Sequence, residues 1–363
     1  MGSSHSFKEM NTHKSQDLRA FAATLSVFAV ICFLLGVFPR LHAKEVPAEL
    51  LTKVDKVLEK IHSRPLSSDA NSPWVVMHAV IAFEKNIEVL DVESGKKVNA
   101  IDYLTKLAKF EGKLIYRDEN GQPTLRTRGP GDKSFLVQDH VDQFLFAYAD
   151  AGVKLGHEIL SRSGKKFTVG DKLKFARKGF KDNQELGWTI VAAATYVPFG
   201  EKWEADSGKS YRTEDVMSLA IKRDPRRETE GGPHHLYGVA YALDAYLKQG
   251  GKLKGTWKQA RAYLDKYLAL TKEYQQEDGA FSGSVFFRAS RPRTPRHLVS
   301  TTGHALEWMT VAMSPEDLKK EWVLMAVKRL VADLEKFPTK VFSDGGLYHA
   351  AHALRRFRDA TAK

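Results

Sequence analysis

Cysteine is almost absent from this chain. The 363 residues contain one cysteine, Cys32, which excludes a disulfide framework, a CxxC redox pair and a zinc cluster built on thiolates. Because Cys32 lies in an apolar run near the amino end, the chain from Lys44 onward contains no cysteine. Any chemistry of that part must therefore come from other side chains.

Motifs of several common enzyme classes are also missing. Gly129-Pro130-Gly131 is not followed by the Lys-Ser/Thr pair of a phosphate-binding loop, and no GxSxG motif of a serine hydrolase occurs. The HExxH motif of zinc proteases is absent, because His157-Glu158 is followed by Ile159-Leu160-Ser161. The sequence therefore gives no indication of a phosphate-binding-loop protein, a GxSxG serine hydrolase or an HExxH zinc protease.

Acidic residues are too few to balance the basic ones. The chain has 56 lysines and arginines against 44 aspartates and glutamates, a formal net charge of +12. Basic residues cluster in Arg162–Lys178, Lys222–Arg227 and Arg288–His297, and such a surface attracts polyanions. We expect an anionic component of the cell envelope as partner, such as an acidic polysaccharide or a lipid headgroup. Nucleic acid is not expected, because no binding module of the required form is present.

The amino end has the parts of an export signal. Basic residues precede the uncharged run Ala20–Phe38, and Ala43 follows shortly after it. Residues 1–43 are therefore predicted to be an export signal cleaved after Ala43. An uncleaved membrane anchor through residues 20–38 is the alternative, since the run is just long enough to span a bilayer. Either reading predicts an exported protein of the periplasm or cell envelope.

The remaining residues, 44–363, are predicted to form one helical domain. Striped amphipathic helices alternate with helices that are apolar almost all round, in six pairs. A striped helix lies at the surface, whereas an apolar one must be surrounded by other helices. The alternation predicts an all-α fold, an (α/α)6 toroid with an outer and an inner ring. The striped helices are predicted at Val46–His62, Ala100–Phe110, Val169–Phe180, Thr213–Lys222, Gly255–Gln275 and Ser314–Phe337, and the apolar ones at Pro73–Leu90, Phe135–Gly152, Gln184–Val197, His234–Lys248, Thr301–Met313 and Leu347–Phe357.

Strand signals are few. The segment Leu114–Arg126 is predicted to form a small β-hairpin inserted before the second inner helix, with Glu119-Asn120-Gly121 at its tip. Little other strand signal is present.

Histidine recurs near the start of the inner helices. Five of the six carry one there, and the third offers Glu185 and Trp188 instead. In a toroid these starts face one mouth of the central cavity, so we expect the side chains to converge on a shared space. The alternative for each histidine is a buried structural role, with the ring bonded to a carbonyl. The histidines are His78, His140, His235, His304 and His349.

Two of these histidines have a partner three residues along the same helical face. His304 is followed by Glu307, and His349 by His352. A histidine beside a glutamate is either a general base with its orienting group or a pair of metal ligands. With no HExxH motif and no cysteine, we expect neither a metal nor another cofactor.

The segment His235–Ser282 resembles the repeat of prenyltransferases and squalene cyclases. That repeat pairs a GxAxxAL-like inner helix with an outer helix that ends in a Gln-x-x-Asp-Gly-aromatic turn, here Gln275/Gln276, Asp278, Gly279 and Phe281. The segments Thr302–Met313, Ser314–Phe337 and Gly345–Phe357 are similar to the carboxy-terminal repeats of exported, largely uncharacterised bacterial toroid proteins. The resemblance implies the toroid fold. It disfavours both family activities, because the DxDD acid of the cyclases and the cysteine of the prenyltransferase zinc site are missing.

A second, weaker resemblance concerns sugar 2-epimerases, which are also (α/α)6 toroids. Their GHxxE motif is similar to Gly303-His304-Ala305-Leu306-Glu307. The resemblance implies acid/base work by His304, with His349 as the second histidine.

Two functions are therefore predicted. The first is binding of a polar ligand, such as a saccharide, in the central cavity, with acid/base chemistry by His304, Glu307, His349 and His235. Trp188, Tyr237 and Trp308 would then provide stacking surface, with His78, His140, Glu185 and His352 as further lining. The second is a non-catalytic scaffold of the cell envelope, or a protein that binds polyanions.

Overall fold

The computed structural model of the chain describes residues 45–127 and 137–362. Its helices, in chain order, are α1 (Ala48–His62), α2 (Pro73–Phe83), α3 (Ala100–Asp102, continued by a π-helical turn at Tyr103–Leu107), α4 (Gln143–Asp150), α5 (Val169–Lys178), α6 (Gly187–Tyr196), α7 (Thr213–Ala220), α8 (Pro233–Lys248), α9 (Gly255–Glu273), α10 (Pro295–Ala312), α11 (Pro315–Leu318), α12 (Glu321–Lys336) and α13 (Asp344–Thr361). Short 3-10 turns lie at Pro225–Arg227, Thr229–Gly231 and Thr339–Val341. The described chain is thus mainly helical.

Several helices begin at the residues that sequence patterns favour. Ser72, Thr294 and Ser314 each cap a helix that has proline at its first position, and each side-chain oxygen accepts a backbone N–H from the first turn. Thr168 and Asp171 form a capping box at the start of α5. These caps determine where α2, α5, α10 and α11 begin.

Five two-stranded antiparallel hairpins lie between helices in the described part of the chain. Their strands are β1 (Glu88–Asp91) with β2 (Lys96–Asn99), β3 (Lys109–Phe110) with β4 (Lys113–Leu114), β5 (Arg117–Glu119) with β6 (Gln122–Thr124), β7 (Glu158–Leu160) with β8 (Lys166–Thr168), and β9 (Trp203–Glu204) with β10 (Ser210–Tyr211). The predicted hairpin is confirmed by β5 and β6. Its turn residues Asn120 and Gly121 both have positive φ, at 52° and 73°, as a two-residue hairpin turn requires.

The other four hairpins were not predicted, and two of them shorten predicted helices. The predicted helix Ala100–Phe110 ends at Leu107, because Lys109–Phe110 form β3. The prediction of helix Pro73–Leu90 is wrong beyond Phe83, where Glu84 takes a φ of 56°. Ile87 and Val89 are buried while Glu88 and Leu90 are exposed, so this stretch has the two-residue period of a strand. The apolar residues that suggested a longer helix belong to β1.

The predicted helix Ser314–Phe337 is divided into α11 and α12. The largest further differences are at two helix starts. The predicted helix Phe135–Gly152 begins only at Gln143, because Asp142 before it has a φ of 60°; residues 135 and 136 lie outside the described residues. The predicted helix Thr301–Met313 begins earlier, at Pro295, because Thr294 caps it.

Six helices, here called the central helices, contact one another in a closed cycle. They are α2, α4, α6, α8, α10 and α13; each packs against the next, and α13 packs against α2. The remaining long helices lie outside this cycle: α1 packs on α13, α3 on α2, α5 on α4, α7 on α6 and α8, α9 on α8 and α10, and α12 on α10. One continuous apolar core joins the two sets.

Close approach between central helices depends on glycine. A Cβ at Gly238 of α8 would lie 2.2 Å from the carbonyl oxygen of Gly187 in α6. A Cβ at Gly303 of α10 would lie 2.9 Å from Ala350 of α13. Both distances are shorter than a carbon atom tolerates, so only glycine allows these backbones to pack at this separation.

The amino-terminal segment adds nothing to this account. The predicted export signal or anchor of residues 1–43, with its apolar run at 20–38, lies outside the described residues. Among the described helices, none combines the length and the apolar composition needed to cross a bilayer.

The packing of α6 on α8 gives a first prediction. Gly238→Ala forces a methyl group into the Gly187 carbonyl and should lower the free energy of unfolding by about 3 kcal/mol or more. Gly156→Ala is the matched control, because nothing lies within 4 Å of the added Cβ; its effect should stay within about 0.5 kcal/mol. Urea denaturation measures both. Equal stabilities of the two variants would contradict the close approach.

Candidate functional site

A cavity of about 570 Å³ lies where the amino-terminal parts of the central helices meet. Five imidazoles line it: His78 from α2, His140 just before α4, His234 from α8, His304 from α10 and His349 from α13. Each of these residues is at most 7% exposed. Four of the six central helices, and the segment just before a fifth, thus each contribute a histidine to one space.

The five imidazole rings lie side by side around the cavity, each close to at least one other. Ring centroids are 4.2 Å apart for His304 and His349, and 5.0 Å apart for His234 with either of them. His78 lies 5.3 Å from His349, and His140 lies 5.2 Å from His234. Such crowding disfavours simultaneous protonation of neighbouring rings, because like charges repel strongly when buried.

Two of the rings are oriented by their own helix. His78 Nδ1 donates to the carbonyl oxygen of Trp74, and His304 Nδ1 donates to that of Ser300, both at 2.7 Å. Each acceptor lies four residues earlier, on the same helical face. With Nδ1 as donor, the Nε2 atom of each ring carries the free lone pair.

A buried carboxylate orients the third ring. Glu307, 1% exposed, accepts hydrogen bonds from Nδ1 of His349 at 2.8 and 2.9 Å and from Nδ1 of His352 at 2.7 Å. Glu307 therefore lies behind His349, away from the cavity. The prediction that His304 and Glu307 form a pair on one face is wrong as a contact, because the carboxylate turns to α13 instead.

Further buried polar side chains extend from Glu307 into the centre of the helix cycle. His352 Nε2 lies 3.2 Å from Oδ2 of Asp150 on α4. The other Asp150 oxygen accepts from the Tyr237 hydroxyl at 3.0 Å and lies 3.6 Å from Nη1 of Arg356. Charged and polar groups of four helices thus compensate one another in the interior, as buried charges require.

This arrangement shifts the pKa of each partner. Burial raises the pKa of Glu307, but the charge of His349 and the two donated hydrogen bonds outweigh burial, so the pKa lies well below its usual range. Burial lowers the pKa of His349, but the Glu307 charge outweighs it, so this pKa is raised. Burial, reinforced by repulsion from His349, lowers the pKa of His304. Of these two neighbouring imidazoles, His349 therefore has the higher pKa.

His140 has its own carboxylate. Its Nδ1 lies 2.9 Å from Oε2 of Glu185, which precedes α6. Burial lowers the pKa of His140, but the hydrogen bond and charge of Glu185 outweigh it, and the pKa is raised. The predicted residues His140 and Glu185 are thus brought together at the edge of the cavity.

Sequence reasoning chose the wrong histidine of the pair at the start of α8. The predicted His235 points away from the cavity, and its Nε2 donates to the carbonyl oxygen of Ala220 at 3.0 Å. That carbonyl belongs to the last turn of α7 and also accepts the backbone N–H of Arg223 at 3.0 Å. His234 faces the cavity instead. Helical periodicity could have found it, because His234, Tyr237 and Tyr241 share the inward face at spacings of three and four.

Glu230 was also missed. It lies in the turn before α8 with a φ of 56°, followed by Gly231 and Gly232 at 76° and 104°. These left-handed conformations return the chain so that Glu230 Oε2 lies 3.2 Å from His304 Nε2 and 4.0 Å from His234 Nε2. The Glu-Gly-Gly-Pro sequence before an inner helix was the available signal.

The aromatic residues predicted as stacking surface are packed in the interior. Trp188, Trp308 and Tyr237 are fully buried and do not line the cavity. Trp188 stacks on Phe146 with centroids 4.1 Å apart. Trp74 and Phe342 are the aromatic residues on the cavity wall. Because an inner helix is apolar all round, its sequence does not distinguish a core aromatic from a cavity one.

Among the described residues, two groups of side chains could each hold a metal ion. One nitrogen each of His234, His304 and His349 lies within 4.8 Å of the others, and the same holds for one ligand atom each of His140, Glu185 and His234. The remaining charges on the cavity wall are Asp139, Arg296 and Asp344, the last paired with Arg64 at 2.8 Å.

Substitution of the two adjacent histidines of α8 should affect the free energy of unfolding differently. Both ring nitrogens of His234 are buried without a hydrogen-bond partner among the described residues, so His234→Leu should leave the free energy of unfolding unchanged or raise it. His235→Leu should lower it by about 1 kcal/mol, because the buried hydrogen bond from His235 to the Ala220 carbonyl is lost. Urea denaturation of the two variants in the presence of EDTA is the measurement. A larger loss for His234→Leu than for His235→Leu would contradict this assignment.

The charge of Glu307 should be essential to stability. Glu307→Gln leaves two buried imidazoles without their shared anion and should lower the free energy of unfolding by about 2–4 kcal/mol. The exposed Glu277 provides the control, and Glu277→Gln should stay within about 0.5 kcal/mol. Chemical denaturation near pH 7 compares them. Similar stabilities would mean that the network does not need the charge.

Comparison of the chain with protein-family models, with curated proteins and with solved structures gives no match. The function proposed below therefore rests on the side chains of the cavity.

Proposed function

We propose that this protein is an enzyme that binds a small polyhydroxylated ligand, such as a saccharide, in the histidine-lined cavity and transfers protons to or from it. The observation that carries the proposal is the convergence of five imidazoles, four from central helices and one from the segment before α4, on one cavity. A single buried histidine is explained by a structural bond. Five around an open space are explained by a ligand that needs several donors and acceptors.

The proposed architecture is an (α/α)6 toroid. The closed contact cycle of the six central helices, with a second helix packed outside each of them, supports it. In such a toroid the amino-terminal ends of the inner helices surround one mouth, and their aligned N–H groups favour electronegative ligand atoms there.

The walls of the cavity suit a saccharide. Trp74 and Phe342 offer apolar surface to the ring carbons. Asp139, Ser300 and Arg296 offer the mixed donors and acceptors that hydroxyl groups need. A volume of about 570 Å³ is within the range of small-molecule sites.

His140 is the proposed proton-transfer group. Its Nδ1 is held by Glu185 at 2.9 Å, which fixes the ring and leaves Nε2 available to a ligand proton. In this proposal His140 takes the acid/base role that the sequence assigned to His304, because the Glu307 carboxylate is engaged by His349 and His352.

Polyanion binding at the cell envelope is the second candidate. Arg288, Arg293 and Arg296 are exposed in the segment that leads into α10, and Arg296 reaches the cavity. Export or membrane anchoring through the amino-terminal segment would bring this surface to anionic polysaccharides or lipid headgroups. Such binding would weaken steeply with salt.

A thermal-shift series tests the proposal. The full-length chain is heated with neutral and uronic-acid monosaccharides and oligosaccharides at low and high salt. At least one saccharide should raise the unfolding midpoint, because a ligand that binds only the native state stabilises it. Trp74→Ala and His78→Ala should each lower the affinity for that saccharide by about tenfold, since each removes a wall of the cavity.

Arg288→Ala is the control, because Arg288 is exposed in the same basic segment but does not line the cavity. It should bind the saccharide as the wild type does. The proposal fails if no saccharide shifts the wild type, or if the shift survives unchanged in Trp74→Ala and His78→Ala. A shift given only by acidic oligosaccharides, abolished by salt and by Arg288→Ala, would favour the polyanion candidate instead.

A further inference from the structure

We propose that His234, His304 and His349 bind one divalent transition-metal ion, with Glu230 beside the open side of the site. This inference rests on the proposed function only in using the same cavity, for which it names the cofactor. It departs from the expectation, drawn from the sequence, that no metal is bound. Five steps support it.

The first step is the separation of the donors. One nitrogen of each ring lies within 4.8 Å of the other two, and the three residues come from α8, α10 and α13. Tetrahedral zinc with bonds of about 2.0–2.1 Å places its ligand atoms about 3.3 Å apart. Because 4.8 Å is the upper limit of the present separations, a bound ion would draw the three nitrogens together to the tetrahedral spacing.

The second step is the protonation pattern of two rings. His304 Nδ1 donates to the Ser300 carbonyl and His349 Nδ1 donates to Glu307. Both rings therefore present Nε2 as the atom free to ligate, which is how a metal-binding histidine is held.

The third step is the unexplained third ring. His234 is 2% exposed, and neither of its nitrogens has a hydrogen-bond partner among the described residues. A buried imidazole with two unsatisfied nitrogens is costly. A metal ion on one nitrogen supplies the missing partner.

The fourth step is the contact between His304 and Glu230. Glu230 Oε2 lies 3.2 Å from the Nε2 atom of His304. If His304 is neutral with its proton on Nδ1, a lone pair faces a carboxylate oxygen, and the two repel. A cation bound to His304 Nε2 removes the repulsion, because it engages that lone pair and attracts the neighbouring carboxylate.

The fifth step is the layer behind the ligands. The carboxylate of Glu307 behind His349 matches the carboxylate–histidine–metal arrangement, in which the outer carboxylate fixes the ring and raises its basicity. The backbone carbonyl of Ser300 does the same for His304. The left-handed φ of 56° at Glu230 is a strained conformation of the kind found at functional sites.

The competing group is less suited to the ion. In the set of His140, Glu185 and His234, the Nδ1 of His140 is already paired with the Glu185 carboxylate. The two would have to separate for the carboxylate to turn to an ion. We therefore assign the ion to the three histidines and leave His140 as a neighbour.

Three imidazole nitrogens favour zinc or a similar transition metal over magnesium or calcium, which prefer oxygen ligands. Three protein ligands leave a coordination position toward the cavity, as in catalytic zinc sites. An ion there would lower the pKa of a bound water or polarise a ligand oxygen. Glu230, whose side chain is 50% exposed, lies where it can receive the proton of such a water.

Cobalt titration of the full-length chain tests the inference. The chain is stripped with EDTA, dialysed, and titrated with Co²⁺ near pH 7.5, with visible absorption and calorimetry as readouts. The wild type should bind Co²⁺ with the intense visible bands of a four- or five-coordinate site, and one equivalent of Zn²⁺ should abolish those bands. His304→Ala and His234→Leu should each lower the affinity by about 100-fold, and Glu307→Gln by about 10–100-fold.

Two substitutions serve as matched controls. His140→Ala removes a cavity histidine that is not an assigned ligand, and His62→Ala removes an exposed histidine of α1. Both should bind Co²⁺ as the wild type does. His5, His13 and His42 are present in every variant, so their contribution to metal binding is the same throughout. Far-UV circular dichroism checks that each variant is folded.

The inference is overturned if the wild type gives no visible bands, or if the bands persist unchanged in folded His304→Ala and His234→Leu. Loss of the bands in His140→Ala alone would also overturn it, because the ion would then belong to the competing group. The titration contains no saccharide, so its outcome is independent of the proposed ligand. Metal binding without any saccharide shift would contradict the proposed function alone, and the reverse result would contradict the metal site alone.

Discussion

The structure depends on one buried carboxylate. Glu307 accepts hydrogen bonds from His349 and His352, and through them links α10 to α13, with His352 continuing the contact to Asp150 of α4. A charge removed from water is tolerated only when such partners compensate it. The same interaction that joins these helices also fixes the ring of His349 at the base of the cavity. Packing at the centre of the molecule and the geometry of the candidate site are therefore one arrangement.

The other cavity histidines are positioned by groups that also contribute to the packing of the helices. His78 and His304 bond carbonyls of their own helices. His140 is held by Glu185, which precedes the next central helix. Gly238 permits the close approach of α8 to α6, which brings His234 beside His140. The rings are thus pre-organised. Binding of the proposed ligand or ion would therefore cost little further loss of side-chain freedom, because the rings are already ordered in the folded protein.

The locations of the helices were largely predictable, because apolar periodicity reflects burial directly. The short hairpins were not, since strands of two to four residues carry too little periodicity to stand out against the apolar helices beside them. The candidate site was predictable in kind but not in membership. The histidines near the helix starts indicated the end of the central helices at which the cavity lies. The choice between His234 and His235 depended on a rotation of about 100° around α8. The position of Glu230 beside His304 depended on a turn whose backbone conformation only the structure revealed.

By itself, the sequence determined that the chain from residue 46 folds mainly into helices, that half of these are buried on all sides, and that thiolate chemistry is excluded there. These properties follow from composition and from periodicity within single helices, which are local. The tertiary structure decided which imidazoles meet, that Glu307 serves His349 and His352, and that Trp188 and Trp308 belong to the core. Those outcomes depend on the rotation and register of helices distant in sequence. A shift of a few ångströms between packed helices would change these contacts, and the local sequence pattern does not specify the packing to that precision.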